Sequence, residues 1–586
     1  MLHFSLRPEP KKHLWHITLS FEHTRNENIE LSLANWVPGS YMIRDFCKNI
    51  ITIEASCNGK AKSLTQLNKN RWLADNEQGS WQICYTVYAL DMSVRSSFLD
   101  TERGFFDGAC LFLRVKNREN ETHTLQFENL PSHWQIATTL PKQQADLKQF
   151  FASSYAELID HPVEMGDLEI LSFVADSITH RVALSGHYAD FDRQRFCQDL
   201  QKICEQELAM FPRPAPFGEY LFLLYLGDNI YGGLEHISST ALHCDRHSLP
   251  ADGMGEASDA YIQLLGLCSH EYFHAWNVKS IKPAAFVPYQ LDSESHTEQL
   301  WAFEGITSYY DDLFLVRSGV ISPERYLKLL AKNFTRVQQG AGKNVQTLAE
   351  SSFAAWHKYY KQDENSVNAI VSYYQKGAIA ALCLDLTIRQ RSQNQYSLDD
   401  VMRVLYQDWV NTGEGIAEKQ WQVRCQEITG LNLQDFFELA LYSTQDSPLA
   451  ECLASVGVDL QWHALPRSHG GDCVASFPDD NKVATDFGAK FSQTADGIKL
   501  SQVFSDGSAQ NAGLSPHDKI IAINGYACTD FATQWAKYRV GDVLRVHYFR
   551  QGVLHETELR VQTAAADTAL VRLADEALLQ TWIAAN

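Results

Sequence analysis

Residues His270-Glu271-Tyr272-Phe273-His274 place two imidazoles and a carboxylate at a spacing suited to metal-assisted hydrolysis. On a helix, positions four apart lie one above the other on the same face, so His270 and His274 can aim both rings at one tetrahedral zinc ion. Glu271 then falls beside the ion, where a carboxylate can act as general base toward an attacking water. Two protein ligands are too few, and a third is required. One route draws it from a third histidine in H-E-x-x-H-x-x-G-x-x-H, but those positions hold Asn277 and Ser280, which excludes that route. The other draws it from a glutamate on a later helix. The stretch 300–310, reading LWAFEGITSYY, supplies Glu304 inside an aromatic, otherwise apolar run that continues through Leu313, Phe314 and Leu315. A glutamate on a buried helix face costs several kcal/mol unless it is paired or metal-bound, so this setting favours Glu304 as the third ligand.

Three blocks together are more specific than the zinc motif alone: 36–46 (WVPGSYMIRDF), 270–283 (HEYFHAWNVKSIKP) and 301–310 (WAFEGITSYY). With them the chain closely resembles, over nearly its whole length, the glycyl aminopeptidase family of gluzincin metallopeptidases. That resemblance implies a zinc aminopeptidase holding one Zn2+, with a PDZ domain behind a thermolysin-like catalytic domain. It also implies removal of a small N-terminal residue, glycine or alanine first, from peptides with a free N-terminus. By similarity to the wider aminopeptidase group, Tyr231-Gly232-Gly233-Leu234-Glu235-His236 looks like a Gly-x-Met-Glu-Asn strand. The likeness makes Glu235 the anchor for the substrate's α-amine and puts Gly232 and Gly233 in the substrate-binding set. Leu234 and His236 depart from the pattern and leave the neighbouring pocket open. Tyr373-Tyr374-Gln375-Lys376-Gly377 resembles a Tyr-Glu-Lys-Gly element, in which Tyr374 aligns with the tyrosine that donates to the developing oxyanion. Tyr373 is the competing candidate. A phenol is a suitable neutral donor at pH 7, and such preorganised donors contribute about 3 kcal/mol to a transition state.

These residues need a scaffold, and the hydropathy pattern outlines a multidomain α+β one. Short alternating segments such as 13–19 and 81–87, separated by Asn, Gly and Pro turns, predict an N-terminal β-sandwich over 1–165. Over 166–465 early strands, including 220–225, give way to long amphipathic helices, an order that fits an α+β zinc-peptidase domain; the resemblance implies that this domain is thermolysin-like with a helical C-terminal part. Ser322-Pro323 reads as an N-cap followed by a first-turn proline, and Ser397 as another helix start. A Gly-, Asp-, Ser- and Pro-rich stretch reads as a linker over 466–484. Residues 497–500 and 507–525 then resemble a PDZ domain, taken as 485–586 with a C-terminal helix. Phe487-Gly488-Ala489 would be its carboxylate-binding loop, able to capture a peptide C-terminus or to serve only as part of a packing lid.

Composition narrows the partners. With 50 Lys and Arg against 71 Asp and Glu, the formal charge is −21, which disfavours nucleic acid and anionic membrane surfaces. No apolar run approaches the ~20 residues of a membrane-spanning helix, and the first residues offer no signal-peptide core. Thirteen cysteines without C-x-x-C spacing read as buried thiols, and the cytoplasm is the expected location. Two other classes compete with the aminopeptidase. A thermolysin-type endopeptidase would have no use for Glu235 near the metal, and a non-catalytic PDZ adaptor would have no use for a general base.

Overall fold

The computed structural model describes residues 1–142, 149–478 and 484–584. Two compact units divide the chain: Met1–Ser295 with Leu405–Ile416, and His296–Val404 with Ala417–Asn586.

The first unit opens with β structure. Strand Leu14–His23 runs antiparallel between Leu2–Glu9 and Gly79–Tyr88 within a seven-stranded sheet, in the register Trp15↔Val87 and Phe21↔Trp81. The alternation read from the sequence is the cause: Trp15, Ile17, Leu19 and Phe21 face the core with Trp81, Ile83, Tyr85 and Val87, all buried, while their neighbours face outward. Two four-stranded sheets complete this β-rich region. A five-stranded sheet follows. Its centre, Ile178–Gly186, Glu219–Gly227 and Ser239–Asp245, is parallel, and Gly232–Glu235 adds antiparallel as an edge strand. The continuous apolar run Tyr220 to Leu224 is buried throughout, as expected of a strand covered on both faces, and helix Asp259–Phe273 packs on it through Tyr272, whose ring lies 4.6 Å from that of Tyr220.

The second unit is helical before it turns to β structure. Helix Pro323–Gln338 starts as read, with Ser322 Oγ accepting from Arg325 N–H and Pro323 in the first turn, and the helix after Ser397 begins at Leu398. Strand Val458–His463 pairs antiparallel with Thr568–Leu573, which also pairs with the short strand Asp472–Cys473. The stretch read as a linker therefore carries a 3-10 turn at Arg467–His469 and that short strand; its residues 479–483 lie outside the described residues, as do the last two of the chain. Between these returns stands a six-stranded sheet whose path runs Ala489–Thr494, Gly497–Val503, Lys519–Ile523, Val543–Arg550 and Val553–Arg560, with Tyr526–Ala527 pairing onto Lys519–Ile523 off that path. Ile498, Leu500, Ile520, Leu544, Val546 and Leu559 form its core. Among the described residues, no helix is long and apolar enough to cross a membrane.

Candidate metal and catalytic site

The histidine motif ends a helix that is pinned on several sides. Ser258 caps Asp259–Phe273 by accepting from Tyr261 N–H, and Asp259 suits the positive end of the helix dipole. Ser269 donates to the buried Glu207 at 2.9 Å. His180 Nδ1 donates to the carbonyl of Ile178, so its Nε2 accepts from the Tyr272 hydroxyl at 2.9 Å and ties the motif to the central sheet. His274 is the C-cap, still in helical conformation, and so lies one turn beyond His270 as the spacing requires.

Both imidazoles are oriented for a metal. His274 Nδ1 donates to the carbonyl of Asn277 at 2.7 Å, which puts the lone pair of the neutral ring on Nε2, and that Nε2 lies 3.1 Å from Nε2 of His270. His270 and His274 thus turn their Nε2 atoms toward one position, and Glu304 belongs to the second unit. Two imidazole nitrogens that cannot both donate at this separation are the donor chemistry that suits Zn2+, which would need a carboxylate such as that of the buried Glu304 as a further ligand. The turn after His274 is strained. Val278 adopts φ 147°, a region costly for a β-branched residue, on the order of 1–3 kcal/mol.

Glu271 is 5% exposed, and its Oε2 has no hydrogen-bond partner among the described residues. Burial pushes its pKa up to about 7; His270 and His274 oppose the shift, and the charge of Glu235 adds to it. A carboxylate with a pKa near neutrality is suited to general-base work. Gly233 makes room for it, because a Cβ there would stand 2.0 Å from Glu271 Oε1. Glu235 ends the same edge strand, buried, with Oε1 likewise lacking a partner among the described residues. Gly39, at φ +96°, lies against that carboxylate, 2.5 Å from where its own Cβ would be. The block 36–46, legible only as a resemblance, thus owes part of its character to a close approach. Glu235, Glu271 and His274 form a second convergent group, again with ligand atoms within 4.8 Å.

Glu304 occupies a single π-helical turn, Trp301–Gly305, that leads into helix Ile306–Arg317. Such turns are frequent at functional sites, and a sequence read for α periodicity does not reveal them. The turn crosses helix Gln375–Arg391 at two glycines: a Cβ on Gly305 would meet Gly377 Cα at 2.6 Å and the Tyr373 carbonyl at 2.9 Å. This crossing brings the tyrosine pair toward Glu304. Tyr373 is fully buried with no hydrogen-bond partner for its hydroxyl among the described residues, and burial, then Tyr360 and Glu304, raise its pKa well above the usual value. Tyr374 is only partly buried, and its hydroxyl lies 3.3 Å from that of Tyr360.

Sequence reading missed Arg95, Asp160, Tyr360 and the Gly305–Gly377 crossing. Arg95 donates to the Gly233 carbonyl at 2.6 Å, and its charge faces Glu271. No local motif surrounds it, whereas Gly377 stands in the Tyr-Glu-Lys-Gly-like element and is the one sequence signal for the crossing.

Comparison with known proteins agrees with this geometry. Residues 3–167 match the Peptidase M61 N-terminal domain, and residues 263–380 match the M61 glycyl aminopeptidase domain. No curated protein matches the chain. Among solved structures, an aminopeptidase N family protein from Idiomarina loihiensis is 39% identical, with 100% of each chain covered and a TM-score of 0.94. An M1 zinc metallopeptidase from Deinococcus radiodurans is 12% identical over 76% of this chain and 94% of its own, at a TM-score of 0.48, and adds nothing to the assignment. Full-length similarity at 39% identity, the two domain matches and the paired imidazoles of His270 and His274 lead to one conclusion: the chain belongs to the M61 glycyl aminopeptidase family and is a zinc metallo-aminopeptidase.

Proposed function

We propose that the enzyme removes small N-terminal residues, glycine or alanine first, from peptides, and that Glu235 makes it an exopeptidase. The observation that carries this reading is the convergence of the Glu235 and Glu271 carboxylates with His274, all buried and within 4.8 Å. Two carboxylates this close in a low-dielectric site repel each other, and the ammonium of a peptide N-terminus relieves that repulsion where the reaction must occur. His270, His274 and Glu304 would hold a single Zn2+, which when bound supplies Lewis acidity at the scissile carbonyl. Glu235 binds the α-ammonium, and Gly232 and Gly233 line the substrate beside it. Glu271 takes a proton from the attacking water and passes it to the leaving amine. Tyr374 donates to the oxyanion; its partial exposure suits a substrate-facing role better than the sealed position of Tyr373. In this reading the chain comprises an N-terminal β-sandwich, a thermolysin-like catalytic domain and a PDZ domain.

The PDZ unit is read as a packing element. Gly488 N–H, which a peptide carboxylate would need, donates to Asp486 at 3.0 Å, and Asn368 bonds both Val503 O and Ser505 N on the same unit. Thirteen cysteines, all free, favour a reducing compartment such as the cytoplasm.

The test is Glu235→Gln, assayed on glycyl and alanyl anilides and on N-acetylated peptides. Loss of one partner of a buried charge pair costs on the order of 2–5 kcal/mol, so kcat/KM on free-amine substrates should fall by at least about 30-fold with zinc content unchanged. A parent enzyme that cuts N-blocked peptides as well as free ones would instead indicate the endopeptidase.

A further inference from the structure

Behind Glu235 lies a chain of ionisable side chains that the reaction does not use directly. Asp160 Oδ1 accepts from Lys279 Nζ at 2.5 Å and lies 3.3 Å from His236 Nδ1. Its other oxygen accepts from the backbone N–H of Ile237 at 3.2 Å. On the far side of the ring, His236 Nε2 stands 3.7 Å from Asp107 Oδ2, and Asp107 is itself held by Ala109 N–H at 2.8 Å. Asp107, His236 and Lys279 are all buried.

The places where Asp160 takes hold are informative. His236 and Ile237 directly follow Glu235 and form the turn into strand Ser239–Asp245, closed by His236 N–H donating to the Ser239 carbonyl. Lys279 ends the strained Asn277-Val278-Lys279 segment, the first residue of which supplies the carbonyl that orients His274. One carboxylate therefore joins the turn after the amine anchor to the turn after a metal ligand. A buried ion pair seldom adds net stability over an apolar replacement, and its best-attested use is to fix register. Lys279 also feels the charge of Glu235 directly.

We propose that Asp160 is a positioning residue: by gripping Lys279 and the His236–Ile237 turn together, it fixes the separation between the α-ammonium anchor Glu235 and the zinc ligand His274, and so determines that the first peptide bond is the one presented for cleavage. The inference rests on the reading of Glu235 given above.

The test uses two competitive inhibitors of the zinc-loaded, full-length enzyme, alanine hydroxamate and its des-amino counterpart propionohydroxamate, assayed with zinc in excess. The ratio of their inhibition constants reports the amine contact alone. In Asp160→Asn this ratio should fall about 10-fold, the scale expected when an anchor moves by a fraction of an ångström, and KM for alanyl anilide should rise more than kcat falls. A purely structural role would weaken both inhibitors alike and leave the ratio unchanged, which overturns the proposal. The same ratio is read in His236→Asn, which loosens the anchor side alone, so that an Asp160→Asn enzyme that fails to fold does not end the test; a parent-like ratio there also overturns it. Glu235→Gln separates the two levels of argument. If it leaves the ratio intact, the amine-anchor reading fails; if it collapses the ratio while Asp160→Asn and His236→Asn do not, only the positioning role fails.

Discussion

Replacing Gly233 by alanine tests the proposed role of Glu271 as general base without changing that residue. The added methyl would sit 2.0 Å from Glu271 Oε1 and 2.4 Å from its carboxyl carbon, whereas ordinary contact begins near 3.4 Å, so the carboxylate must retreat by about 1.4 Å. It has little room to do so, because Glu271 is 5% exposed and shares its surroundings with His274 and Glu235. A misplacement of about 1 Å at a reacting group costs about 10²-fold in rate, so kcat on alanyl anilide should fall by that factor or more. Zinc content should remain that of the parent, since the metal ligands His270 and His274 lie on the other residues of the motif. The decisive assay is a double-mutant cycle with Glu271→Gln. If Gly233→Ala acts by displacing Glu271, its effect should nearly vanish once the base is already gone, as expected for residues that act as a unit. Near-normal turnover of Gly233→Ala, or full additivity with Glu271→Gln, would refute the reasoning.

Gly377→Ala should weaken zinc binding at a distance from any ligand: its Cβ would meet Gly305 Cα at 2.8 Å and the Trp301 carbonyl at 3.3 Å, pushing away the π turn that carries Glu304. Competition with a chromogenic chelator measures this, and parent-like affinity would show that the crossing is not critical. Asp107→Asn should alter the pH dependence of stability. Burial, opposed by His236, raises the Asp107 pKa to about 6, so between pH 4 and 6 the folded state retains a proton that the unfolded chain releases. Stability from this group is then complete below its unfolded pKa and is lost as pH rises through 6, on the order of 2–3 kcal/mol. Melting curves across that range should be flatter for Asp107→Asn, and an unchanged slope would count against the shift.

What the sequence disclosed and what it concealed divide along physical lines. The metal ligands were legible because i, i+4 spacing on a helix is local geometry, and Glu304 because a lone carboxylate in an aromatic run stands out against the cost of burying it. The strands 14–23 and 79–88 were legible because alternation carries their register. The rest of the site depends on space rather than pattern. Gly39 and Gly233 are glycines because two carboxylates occupy the volume a side chain would need, yet a glycine before a carboxylate reads the same in a loop. Asp160 and Lys279 are 119 residues apart, and neither sits in a periodicity that foretells the other. The π turn at Trp301–Gly305 follows the same principle, since its extra residue is accommodated where two glycines let helices approach and is invisible to a count of 3.6. Residues that bind the metal could therefore be named from the chain alone, whereas the residues that set distances between them could not, because a distance of that kind is fixed by which atoms are missing on the facing element.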